Sequence, residues 1–439
     1  MSYATARSRT ANGEANKLYP EDRAIHEWYR FVLSFPPHLV REYIERFAIT
    51  PAQTILDPFC GTGTVLVEAK KRGIASVGIE ANPVAHFASQ TKVDWSPDPD
   101  QLAEHACQVA REASAQLEAE GVEDIPLLQS RTEGTQRLRQ LLPEREGLLL
   151  KGSISPRPLH KTLVLLECLE RKRQDAFYAH ERLALAKALV GPIGNLHFGP
   201  EVGVGAPKPD APVVAPWLAN VLAMADDLRR WQTGAGCPAA VHLADARSLG
   251  DVLAPMSVDA VITSPPYPNE KDYTRTTRLE SVLLGFIGCK AELRALKSGL
   301  VRSNTRGVYQ DDNDDRWVAA HPEIQRLADA IEARRVELGK TSGFERLYAR
   351  VTRLYFGGMA RHLAGLRMLL RPGAHLAYVV GDQASYLRVM IRTGQLLASI
   401  AASLGYEVVG IDLFRTRLAT ATREQLREEV VILRWPGDT

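Results

Sequence analysis

The stretch TILDPFCGTGTVLVEAKKRG (54–73) places the tightest constraint on the fold. A short apolar strand ends at Asp57, a tight loop carries glycines at 61 and 63, and a helix runs through Lys71 until Gly73 stops it. ASVGIEANP then reads as a second strand ending at Glu80, and PVAHFASQTKV as a second helix. Strand, helix, strand and helix joined by short loops are the start of a doubly wound parallel sheet, so an α/β fold is expected.

Upstream, residues 25–47 read as an aromatic segment, a Pro36-Pro37 break and an amphipathic helix with Leu39, Val40, Tyr43, Ile44 and Phe47 on one face. Downstream, from Ser96 to Ala235, helical periodicity dominates and strands are hard to find, which predicts an inserted helical domain. Within it, GPIGNLHFGPEVGVGAPKPDAP (191–212) is dense in glycine and proline and is expected to be a loop, either functional or a plain crossover. Strand character returns in AAVHLADARSL (239–249) and VDAVITSPPY (258–267), the third and fourth strands. A charged helical stretch, 270–345, holds the acidic run Asp311 to Asp315. A long helix from Glu345 to Leu370 leads to RPGAHLAYVVGDQ, a fifth strand introduced by a Pro-Gly turn. GYEVVGIDLFRTR and EEVVILRW supply a closing hairpin across an Arg/Thr-rich link.

At 439 residues the chain exceeds what one core usually supports, which fits a sheet carrying large insertions or two domains. With 45% hydrophobic and 24% charged residues, disorder is not the default. The cysteines at 60, 107, 168, 237 and 289 form no CxxC pair and no Cys/His cluster of zinc-ligand spacing. Neither a disulfide scaffold nor a metal is signalled, and a reducing cytoplasm fits. Met1 to Glu21 has no apolar signal region and no run is long enough to span a bilayer, so neither export nor a membrane is expected. A net charge of +2 says little about a polyanionic partner. Beyond Glu270, however, the cations are nearly all arginine, including Arg275, Arg278, Arg302, Arg306, Arg316, Arg334, Arg335, Arg346, Arg350, Arg353 and Arg361. A planar guanidinium fork suits phosphate and guanine edges, although solvated helix faces explain most such residues in general.

In an open α/β sheet, ligands sit outside the carboxyl ends of the strands, and here those ends read DPFCGTG, EANP, ADA and SPPY. Glycines 61 and 63 let backbone amides approach a ligand at a helix N-terminus. Glu80 is placed to accept from the two hydroxyls of a ribose, and Asp245 from an adenine amino group. Either carboxylate alone is more often a cap or turn residue; strand order on one rim is what favours a site. In TSPPY, Pro265 and Pro266 remove two donors and leave carbonyls without local partners. Such carbonyls can accept from a substrate amine, Ser264 adds a side-chain acceptor, and Tyr267 offers a face on which a base can stack.

DPFCGTG with TSPPY resembles the amino-methyltransferase family of DNA methyltransferases, which act on cytosine N4 or adenine N6. The resemblance also takes in Glu80, Asp245, the SFPPHLV segment and YPNEKDYTRTTRLESVLLGF, about half the chain. It implies a Rossmann-like sheet with a C-terminal antiparallel hairpin and a large helical insertion. It also implies S-adenosyl-L-methionine as cofactor. Asp57, Pro58, Phe59, Cys60, Gly61, Gly63 and Thr64 would surround its methionine part, with Phe35 and Pro36 closing that side. Glu80 would hold the ribose and Asp245 the adenine. The implied catalytic loop is Ser264, Pro265, Pro266 and Tyr267, with Tyr273, Arg275 and Arg278 as nucleic-acid contacts. The catalytic domain would comprise 22–95, 236–269 and 346–439, with 96–235 or the Arg-rich 270–345, or both, reading the target.

An exocyclic amine has its lone pair delocalised into the ring, so the enzyme must accept the amine's hydrogens as the methyl approaches in line. Serine in the first loop position leans toward cytosine N4; adenine N6 and an RNA base amine stay open. The partner implied is double-stranded DNA with the target base flipped out. A companion restriction endonuclease and a homodimer stay open, and no metal is expected. A nicotinamide enzyme lacks support because the third glycine of GxGxxG is missing. A binding module with a dead cofactor site would not need both loops intact.

Overall fold

The computed structural model describes residues 16–31, 34–125, 137–198, 201–269, 271–418 and 425–437. Its main sheet has seven strands: β1 (Thr54–Asp57), β2 (Ala75–Glu80), β5 (Ala239–Leu243), β6 (Val258–Thr263), β7 (Leu370–Gly381), β8 (Glu407–Leu418) and β9 (Gln425–Arg434). A small hairpin, β3 (Leu196–Phe198) with β4 (Val202–Val204), stands apart. The strands lie in the order β5-β2-β1-β6-β7-β9-β8, and only β9 runs antiparallel to its neighbours. The chain therefore winds outward from β1 through β2 to β5, returns to the middle, and winds the other way through β6 and β7. Strand order reverses between β1 and β6, which is where such sheets open a crevice. The expected α/β fold with a C-terminal antiparallel hairpin is what the structure has.

Both faces of the sheet are buried, and the strands show why with period-two alternation. Ile55, Ile262, Val379, Val430 and Ile432 belong to one apolar cluster. Their neighbours Leu56, Val261, Tyr378, Val380, Val431 and Leu433 belong to another on the opposite face. The first cluster takes in the helices Pro37–Arg46 and Pro83–Val93 and continues into Pro99–Ala119, Pro156–Arg171, Tyr178–Ala188 and Val214–Trp231. The residues between β2 and β5 thus thicken one face of the sheet, their apolar side chains continuous with it. The second cluster is covered by Pro322–Glu337, Tyr348–Leu366 and Thr393–Ser403. Several helices open on a proline at their first turn, where the missing N–H has no intrahelical partner to lose. No helix among the described residues is long and apolar enough to cross a membrane.

Three sequence expectations need correction. The glycine- and proline-dense 191–212 segment is not all loop, since it carries the β3–β4 hairpin. The hairpin is held at its base: the Asn195 amide donates to the Gly152 carbonyl and to Ser155 outside the segment, and across its own ends Lys208 Nζ donates to the carbonyls of Gly191, Pro192 and Gly194. Those contacts are tertiary, so no local periodicity announces them. The helix expected over 345–370 is α-helical only from Tyr348 to Leu366, with 3-10 turns before and after. The Pro-Gly pair lies inside β7 rather than before it, absorbed by a register shift opposite Val258 and Ala260. The Arg/Thr-rich link of the closing hairpin, 419–424, lies outside the described residues.

The helix Tyr348–Leu366 approaches the Asp314–Val318 turn so closely that a Cβ on Gly357 would sit 2.0 Å from the Asp314 carbonyl oxygen. Backbone, not a flexible side-chain end, blocks the way, so Gly357→Ala should destabilise by about 1–3 kcal/mol or more. Urea denaturation checks this, the expected outcome being a lower midpoint with an unchanged slope.

Candidate active site

The β1 and β6 loops leave neighbouring strands at the same edge. Leu56 pairs with Val261 in register, and beyond them Thr263 Oγ1 donates to Asp57 Oδ1 at 2.6 Å. A cleft of about 670 Å³ opens above this junction, a size that suits a small organic ligand. Phe35, Pro58, Phe59, Cys60, Gly61, Thr64, Glu80, Asp245, Ser264, Pro265, Pro266, Tyr267 and Tyr273 all line it. Gly61 and Pro265 therefore face one space. Asp57 and Gly63 stand behind the lining: Asp57 is fully buried, and a Cβ on Gly63 would crowd Ser89 Oγ at 3.1 Å. Arg275 and Arg278 turn toward the insert, where Arg275 Nε donates to the Val202 carbonyl and Arg278 Nη1 to that of Leu148.

At one end, the glycine loop is held open by its own hydrogen bonds. Glu80 accepts from the amides of Gly61 (2.8 Å) and Asn82 (2.7 Å), and Ser89 Oγ donates to the Gly61 carbonyl (2.6 Å). Gly61 has a φ of 53° and open space where a side chain would project, so the loop presents backbone, not bulk, to the cleft. Burial pushes the Glu80 carboxyl up, against the backbone amides of Asn82, Gly61 and Ala81 that favour its charged form. Each of its oxygens keeps a lone pair for a ligand hydroxyl. Asp245 reaches the rim, two residues past β5, but Arg247 already grips both its oxygens, with Nη2 at 2.6 Å from Oδ2. Arg247 also bonds Asp314 (2.5 Å), itself bonded by Arg361, so the Asp245 carboxylate is tied to the 270–345 segment. An open glycine turn, a rigidly held glutamate and flanking Phe35 and Phe59 fit a nucleoside-bearing cofactor.

At the other end, Ser264 Oγ donates to the Val379 carbonyl at 3.2 Å and also interacts with the Tyr267 phenol, so its proton is engaged and acceptor capacity remains for one further donor. The Tyr267 ring lies against Gly381, where an added Cβ would come within 2.9 Å of it. Burial and the nearby Glu428 hold its phenol protonated. The thiol of Cys60 is buried and pushed well up, which unfits it as a nucleophile. Sequence reasoning missed the far wall of the cleft, made by Gln383, Phe414, Arg415, Arg417 and Glu428 from β8, β9 and the end of β7. These residues carry no motif, and only strand order brings them round to TSPPY.

Residues 7–90 match the family described as DNA methylase, N6 and N4. The Type II methyltransferase M.BsoBI of Geobacillus stearothermophilus is 27% identical, with 96% of this chain and 85% of that protein covered. The Type II methyltransferase M.AvaI of Nostoc sp. is 24% identical, with 96% and 88% covered. The chain is thus similar to N6/N4 DNA methylases over residues 7–90 and to two Type II methyltransferases over nearly its whole length. Among solved structures it is similar to TrmN from Thermus thermophilus, at 10% identity and a TM-score of 0.33 over 94% of this chain and 52% of that one. The rRNA methyltransferase aviRa from Streptomyces viridochromogenes gives 13% and 0.30 over 99% and 97%. Overlaps this loose say nothing about substrate.

The buried Asp57 at the head of this cleft has a measurable consequence. Burial raises its carboxyl from 3.8 to about 7, outweighing the bonds from Thr263 and the Phe59 amide, and its Oδ2 has no partner among the described residues. The folded chain thus keeps a proton that the unfolded chain sheds near pH 4. The associated stability is fully present below about pH 4, is lost as pH rises toward 7, and changes no further above that. Glu181 and Glu280, each raised to about 7 by burial, slope the same way. Asp57→Asn keeps an acceptor for Thr263 and removes one titrating group. Denaturation midpoints measured from pH 4 to 7 should fall less steeply in this variant than in the wild type.

Proposed function

We propose that this chain transfers a methyl group from S-adenosyl-L-methionine to the exocyclic N4 amine of a flipped cytosine in double-stranded DNA. The observation that carries the reading is the Ser264 hydroxyl, which gives its proton to Val379 and faces the same cleft as Gly61 and Glu80. When bound, the cofactor supplies an electrophilic methyl on a sulfonium. Glu80 would hold its ribose, Gly61, Phe35 and Phe59 would flank its methionine part, and Asp245 would meet its adenine edge through the lone pairs that Arg247 leaves. Ser264 Oγ and the Pro265 carbonyl accept the two amine hydrogens, which pulls the nitrogen lone pair out of the ring and toward the methyl. Tyr267 stacks on the base once it has left the helix. Serine in the first loop position favours cytosine over adenine. The Type II designation of the relatives supports a restriction–modification setting, and hence a DNA substrate and a companion endonuclease.

Single-molecule sequencing of DNA from cells expressing the protein tests base, atom and context together. N4-methylcytosine in one sequence context is the expected outcome, and N6-methyladenine would replace the cytosine assignment. Ser264→Ala and Tyr267→Ala should each bind labelled S-adenosylmethionine like the wild type and lose methyl transfer by on the order of 100-fold. Unimpaired turnover in both variants removes the proposed loop from the reaction.

A further inference from the structure

The far wall of the cleft carries three charged residues that take no part in the proposed methyl transfer, Arg415, Arg417 and Glu428, with Arg417 Nε 3.6 Å from Glu428 Oε1. Glu428 on β9 is 8% exposed and sits across the ladder from Gly381 on one side and Arg415 on the other. A Cβ on Gly381 would touch both the Glu428 side chain (Cγ at 3.3 Å) and the Tyr267 ring (2.9 Å), so the carboxylate arm and the aromatic face are neighbours. Glu428 grips Arg415 in a two-point fork: Nε donates to Oε2 at 2.5 Å and Nη2 to Oε1 at 2.9 Å. Nη1 of Arg415 bonds nothing among the described residues, and Arg415 lines the cleft with its side chain 21% exposed. A guanidinium has only donors and no acceptor, so the edge left free by the fork can only donate. The fork costs it mobility that binding would otherwise have to remove.

We propose that Arg415 reads the target base, donating from its free edge to the ring nitrogen beside the amine that accepts the methyl, with Glu428 as the positioning residue that holds its plane. This rests on the reading that the cleft takes a flipped base. The chemistry selects a base class. Cytosine presents N3, an acceptor, beside its N4 amine, and adenine presents N1 beside N6. On its Watson–Crick edge guanine presents a protonated N1 beside its amine, which opposes a donor, its acceptor N3 lying on the other flank, and thymine has no amine. A fixed donor that meets the Watson–Crick side of the amine thus admits cytosine and adenine and rejects the other two. A misfit leaves the half-buried guanidinium edge facing the base without a partner, which weakens binding of the wrong base.

The test uses the full chain and a duplex containing the context found by sequencing, with the target nucleotide either natural or carrying CH in place of that ring nitrogen. With the wild type, kcat/KM should fall by on the order of 10- to 100-fold on the altered duplex. Arg415→Met should lose a similar factor on the natural duplex and almost nothing further on the altered one, with cofactor binding unchanged. Glu428→Gln should lose activity on the natural duplex only. Equal wild-type turnover of the two duplexes overturns the proposal, and this needs no variant to fold. Losses from Arg415→Met and from the altered base that simply multiply overturn it as well. Failure of the wild type to methylate any DNA base would instead strike the proposed function itself, and this proposal with it.

Discussion

The hydrogen bond from Thr263 to Asp57 joins two parallel strands at the point where the sheet changes winding direction, and the whole site is arranged around that junction. Because β1 and β6 run side by side in the same direction, the loops that follow them emerge at one edge, with no helix between. A glycine turn and a double-proline turn far apart along the chain therefore share a cleft. The bond is buried, so breaking it would strand both a hydroxyl and a carboxyl without water. That cost keeps the two loops from drifting apart.

Burial on both faces gives the junction its rigidity. Alternating residues of the central strands feed two apolar clusters, and the helices between β2 and β5 extend one of them without a break. A sheet packed in this way does not shear easily. The carboxylates at its edge, Glu80 and Asp245, are consequently held by backbone amides and by Arg247 before any ligand arrives. The link from Arg247 to Asp314 carries this order out into the 270–345 segment.

Arginines abundant beyond residue 270 invite a nucleic-acid reading, but many serve the fold. Arg302 is 5% exposed and pairs with Asp312, Arg335 pairs with Glu332, Arg353 with Asp329, and Arg361 with Asp314. Arg350 donates to backbone carbonyls of residues 309, 310 and 312. The acidic run Asp311 to Asp315 supplies several of the partners, with Asp314 itself buried. Composition cannot separate these uses, because a guanidinium satisfies a carboxylate, a carbonyl or a phosphate with the same geometry.

The sequence by itself determined the strand-ending motifs, their order and the α/β class, because those depend on local periodicity and on what glycine and proline allow the backbone to do. DPFCGTG, Glu80 and TSPPY were legible for that reason, and so was the closing hairpin. The hairpin at 196–204, the internal position of the Pro-Gly pair in β7 and the shelter of Arg275 and Arg278 under the insert were not, since each is set by contacts with distant residues. The same holds for the wall made by Phe414, Arg415 and Glu428. Only strand order in the folded sheet, with β9 inserted between β7 and β8, decides that these side chains face Tyr267. Pairing between remote strands is a property of the whole buried assembly, and no window of neighbouring residues contains it.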